Sequence, residues 1–155
     1  MIGRILGLLG GAAPGPSPER LDELQIAVAA LLVEAARMDD RFEASERATI
    51  QRLLGERFAL APEAARDLLA AAERAAQRSS QLFPFTRLVV DRLDPPERVR
   101  LIEMLWEVAY ADGALAPDED ALLRRVAGLV HVPDQERGAA RQRVLRRLGR
   151  CSDCD

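Results

Sequence analysis

The sequence predicts an all-α protein, a compact bundle of about seven helices, and three observations carry that prediction. From Pro18 onward apolar residues recur at steps of three and four, no stretch alternates with period two, and prolines or capping residues punctuate the chain where helices should begin. With 155 residues, 48% of them hydrophobic, the chain is long enough for one domain to bury a core without disulfides or a structural metal.

The elements follow in order. Residues 1–16 form an arm: Met1–Leu9 is apolar apart from Arg4, with Ile2, Ile5, Leu6 and Leu9 at helical spacing, and a Gly/Ala/Pro/Ser run follows. The arm is far below the ~20 residues of a membrane span and short for the apolar region of a signal peptide. A domain over 17–149 then opens with Ser17 as N-cap and Pro18 in the first turn, its first helix carrying Leu21, Leu24, Val28, Leu31, Ala35 and Met38 on one stripe. A second helix, about Ala44 to Phe58, presents Ile50, Leu53 and Leu54; an alanine-rich third begins at Pro62; a fourth spans about Gln81 to Leu93. The fifth starts from Asp94-Pro95-Pro96-Glu97, a capping box, and continues through Ile102, Leu105 and Trp106 until Gly113 stops it. The sixth starts at Pro117 and the seventh follows Asp134. Residues 150–155 are a tail with Cys151 and Cys154, half of a structural zinc site at most.

An internal repeat reproduces polar as well as apolar positions. The stretch from Leu31, LLVEAARMDDRFEASERATIQRLL, matches that from Met104, MLWEVAYADGALAPDEDALLRRVA, at a constant offset that pairs Glu34 with Glu107, Asp39 with Asp112 and Glu46 with Glu119. Each copy reads helix, acidic turn, helix.

At these turns the chain resembles the TerB family, the tellurite-resistance-associated all-α domain. The resemblance covers about Leu24 to Leu148 and is carried by Glu34-Ala35-Ala36-Arg37-Met38-Asp39, Phe85-Thr86-Arg87-Leu88 and Leu105-Trp106-Glu107-Val108-Ala109-Tyr110-Ala111-Asp112-Gly113. It implies a compact bundle of about seven helices and an acidic, metal-binding surface acting in stress-response assemblies near the membrane, without established catalysis. The first turn departs from the D-G pattern, with Asp40 where the second has Gly113.

Two readings of the turns compete. Asp39 and Asp112 fall at helix C-termini, where the macrodipole disfavours an anion, so a bound cation would offset the cost; oxygen-only ligands favour Ca²⁺, Mg²⁺ or Mn²⁺, with Zn²⁺ a poorer fit. Asp39, Glu46, Asp112 and Glu119 are then the candidate ligands, with Glu34 as inner support. Alternatively Asp112-Gly113 is an ordinary turn, and Glu46 and Glu119 merely favour helix N-termini. Glu34 is the sole ionisable residue between Glu23 and Arg37, in a run apolar on every side, which predicts a buried carboxylate needing a proton, a metal or an arginine. Glu107 shares a polar strip with Arg100 and Glu103, which predicts partial exposure.

No constellation points to an enzyme. His131, the only histidine, stands beside Pro133 in an inter-helix turn, and no nucleophile motif, phosphate-binding glycine loop or HExxH is present. No small-molecule substrate suggests itself. The last helix concentrates Arg141, Arg143, Arg146 and Arg147, a docking face for an acidic protein partner or an anionic membrane surface in a metal-free adaptor. Net charge of −3 and the absence of aromatic residues among these arginines argue against nucleic acid. The expected location is cytoplasmic or peripheral to a membrane.

Overall fold

A computed structural model describes residues 18–37, 44–111 and 117–149, with side chains from Glu23 onward. Among the described residues every regular element is a helix: α1 (Pro18–Ala36), α2 (Ala44–Phe58), α3 (Pro62–Arg78), α4 (Phe83–Arg92), α5 (Pro95–Ala109), α6 (Pro117–Leu129) and α7 (Asp134–Arg147). The arm, Ser17 and the tail lie outside the described residues. Among the described residues no helix is long and apolar enough to cross a membrane.

α1 is the axis. Every residue from Ala27 to Val33 is buried, as are Ala35 and Ala36, and α2, α3, α4, α5 and α6 all pack against this helix. A helix apolar all round cannot tolerate a solvent face, so enclosure follows from composition. α3 supplies one stripe toward it, Ala65, Leu68, Leu69, Ala72 and Ala76, whose alanines allow close approach.

α5 is the second hub, in contact with α1, α2, α6 and α7. Its start is the anticipated capping box: Asp94 accepts from the Glu97 N–H at 3.0 Å, and Glu97 accepts from the Asp94 N–H at 3.1 Å. Trp106 is buried beside Tyr110, ring centroids 6.0 Å apart, and its indole N–H donates to the Arg137 carbonyl of α7 at 3.2 Å. Arg98 donates to the Val130 carbonyl at 3.1 Å, satisfying the end of α6.

α2 and α6 close on similar turns. Leu60 N–H reaches the Gly55 carbonyl at 3.0 Å past Ala59 (φ 52°), and Val132 N–H reaches that of Ala127 at 2.8 Å past His131 (φ 62°). These are left-handed C-caps of the Schellman kind, occupied by Ala and His where glycine is usual.

Leu31, Leu105, Trp106 and Leu123 all lie in the core. Replacing Trp106 with Ala should therefore cost about 3–5 kcal/mol in reversible thermal or urea unfolding, and a loss below ~1 kcal/mol would be incompatible with its burial.

Candidate functional site

The two acidic connections, 37–43 between α1 and α2 and 110–116 between α5 and α6, are both seven residues long. Asp39 and Asp112 lie within them, outside the described residues. The glutamates that follow are described. Glu46 and Glu119 each occupy the third position of their helix, and each is only 1% exposed. Both residues take part in interactions.

Glu97 occupies the same third position in α5, where it caps the helix and pairs with Arg57 at 3.1 Å, and it remains half-buried. A glutamate at this helix position is therefore not sealed as a rule. The helix N-terminus, with its partial positive charge and free N–H groups, compensates part of the cost of enclosing an anion.

Glu34 and Glu107 exchange the roles expected of them. Glu34 is half-buried and lines a cavity of about 160 Å³ with Ser79, Gln81, Leu122 and Arg125. Among the described residues no ion pair holds it. Burial pushes its carboxyl above the usual range, and the nearby Arg37 guanidinium opposes that shift.

Glu107 is instead buried, at 8% exposure, and both its oxygens are taken: Oε2 by Arg52 of α2, and Oε1 by Arg147 of α7 at 3.1 Å. Arg147 also reaches Glu103 Oε1 at 2.7 Å, while Arg143 meets Glu103 Oε2 at 3.1 Å. The polar strip read from the α5 sequence is real, but arginines of two other helices cover it, which helical periodicity alone does not reveal. These groups line a charged cleft of about 400 Å³ between α2, α5 and α7.

The basic face of α7 is correspondingly occupied. Besides Arg143 and Arg147, Arg141 donates from Nε to the Tyr110 hydroxyl at 2.7 Å and stacks over Trp106, 5.7 Å from the ring centroid. Arg146 is exposed and has no partner among the described residues. The four arginines do not form one free docking face. His131, also exposed, holds the left-handed turn after α6.

A hard divalent cation requires several oxygen ligands. Glu46 and Glu119 fit that donor chemistry, one per connection, whereas Glu103 and Glu107 would have to shed arginines first. Among the described residues no group of three His, Cys, Asp or Glu is gathered closely enough to hold an ion. A complete ligand shell would therefore draw on oxygens within 38–43 and 112–116, where Asp39 and Asp112 lie.

Over residues 25–142 the chain matches the family model described as Tellurite resistance protein TerB. No curated protein and no solved structure matches it. Arg147, which completes the cleft, lies beyond the matched stretch.

Two variants test these electrostatics. Because the folded-state pKa of Glu34 is raised, its protonation stabilises the fold at low pH, and that contribution is lost as pH rises through the folded value. Glu34→Gln should accordingly be more stable than the parent at pH 7 without added metal, with the gap closing as pH falls through the carboxylate range. Glu107→Ala should cost about 1–3 kcal/mol in urea unfolding, since Arg52 and Arg147 lose a shared, buried acceptor but are exposed enough to regain water. Equal stability of this variant and the parent would show that the cleft pairs contribute nothing.

Proposed function

The chain belongs to the TerB family, and from that premise we propose that it is a non-catalytic interaction domain that binds a divalent cation at its acidic connections and serves stress-response assemblies near the membrane. The observation that carries the reading is the enclosure of Glu46 and Glu119, each sealed in the first turn of the helix that leaves an acidic connection. Enclosing a carboxylate is costly, and in α5 the same helix position is served by a half-buried one.

Ca²⁺, Mg²⁺ or Mn²⁺ is the class of ion that oxygen donors of this kind select. Bound there, it would supply positive charge where two helix C-termini and several carboxylates crowd negative charge. Asp39 and Glu46 would serve the first connection, and Asp112 and Glu119 the second. Glu34, half-buried and held by no ion pair among the described residues, is suited to inner support. The residues argue for binding rather than catalysis: the only histidine is an exposed turn residue, and Arg143 and Arg147 of α7 are engaged with structural carboxylates.

Thermal unfolding against a panel of cations tests this. At about 100 times the dissociation constant, a cation specific for the folded state adds about 2.7 kcal/mol, or roughly 5–11 °C in Tm for a domain of this size. Glu46→Gln and Glu119→Gln, nearly isosteric, should each lose most of the shift measured from their own metal-free midpoint. A parent midpoint indifferent to millimolar Ca²⁺, Mg²⁺, Mn²⁺ and Zn²⁺ would overturn the cation-binding reading.

A further inference from the structure

We propose that the apolar N-terminal segment Ile2–Leu9 packs into the groove between α1 and α3, so that this chain covers its own exposed apolar trough. The groove, of about 320 Å³, is walled by Ile26 of α1, Leu60, and Ala64, Leu68 and Ala71 of α3. Ile26 and Leu60 are partly buried apolar side chains with nothing over them among the described residues, Ala64 is exposed and Ala71 half-buried. Ala64 and Ala71 stand two helical turns apart on either side of Leu68, which leaves a shallow trough where a short helical segment can approach closely.

Three features of the chain select this occupant. The first is reach: Ile26 is eight residues into α1, about 12 Å along its axis, while the Gly10–Ser17 run can extend to about 26 Å. Leu9 can therefore fold back to the groove without strain. The second is pattern: Ile2, Ile5, Leu6 and Leu9 fall on one helical face that matches an apolar trough. The third is charge. Asp67, on the lip of the groove, has no ion pair among the described residues, and Arg4 is the only charged side chain in the segment.

A helix of eight residues is marginal on its own and so short an apolar stretch holds a membrane weakly. A tether of eight residues, by contrast, presents the segment to the groove at millimolar effective concentration. The family match begins at residue 25, so the cover is separate from the acidic connections and stands or falls apart from the cation reading.

Paramagnetic relaxation tests the contact directly. A spin label on Gly7→Cys, off the apolar face, in a Cys151→Ser, Cys154→Ser background should extinguish the methyl signals of Ile26, Leu60 and Leu68 while leaving Val144 and Leu145 on α7 visible. Leu6→Asp in the segment, or Ala64→Glu at the exposed wall of the groove, should restore the lost signals. Arg4→Asp and Asp67→Arg should each weaken the loss and together recover it. No localised loss in the parent background would overturn the proposal. So would loss confined to an unlabelled, isotope-enriched copy in a mixed sample, which would give the groove to a second molecule. Avid binding of the segment to anionic vesicles without any localised loss in the free protein would assign it to membrane instead.

Discussion

The structure depends on the enclosure of α1. From Ala27 to Val33 the helix offers no polar side chain with which to face water, so the remaining chain must surround it. Five helices do so, and each needs only one apolar stripe because the helix it packs on is apolar in every direction. The alanines at 27, 29, 30, 35 and 36 keep the axis thin and let those neighbours approach. Enclosure also explains Glu34. It lies near the C-terminal end of α1, beside the small cavity shared with α6 and the connection before α4, where its carboxyl remains half-buried with no ion pair among the described residues.

α5 solves the same problem differently. Eight consecutive positions from Leu101 are apolar or glutamate, all buried except the partly covered Glu103. The two glutamates are accommodated by guanidinium groups brought from α2 and α7. The α5–α7 contact is therefore a composite: Trp106 and Val144 supply the apolar part, the Trp106 N–H and Arg141 bridge it, and Arg143 and Arg147 seal its edge. Exposed ion pairs contribute little singly, but here both oxygens of a buried carboxylate are satisfied by two helices at once, so the network fixes the relative placement of α2, α5 and α7.

Periodicity and punctuation made most of this architecture legible. α2 has the limits its apolar spacing indicates, and Asp94-Pro95-Pro96-Glu97 specifies a cap that the structure reproduces atom for atom. α4 starts at Phe83, two residues later than its pattern suggests, because Ser79 and Gln81 bond to each other and hold a bend before it. At the site, the repeat singled out Glu46 and Glu119 but not their burial, which depends on the tertiary packing of α2 and α6. Glu34 and Glu107 were read in reverse for the same reason: helical phase gives a residue's direction, while the long side chains that cover it come from elsewhere in the sequence. Arg52, which takes one oxygen of Glu107, carries no local signal of that role.

The carboxylates thus divide by the kind of partner that satisfies them. Glu73 is gripped by both nitrogens of Arg47, and Glu103 and Glu107 have each oxygen assigned to a guanidinium. A fork of two N–H donors matches a carboxylate edge to edge, and a cation can compete for those oxygens only by displacing a charge already present. Helix N-termini act otherwise: they bring N–H donors and a partial positive charge without a side-chain counterion. Glu46 and Glu119 lie in first turns, where that partial charge offsets part of the cost of their burial. The same fold thereby commits Glu103 and Glu107 of α5 to holding helices together and encloses Glu46 and Glu119 in the first turns of α2 and α6.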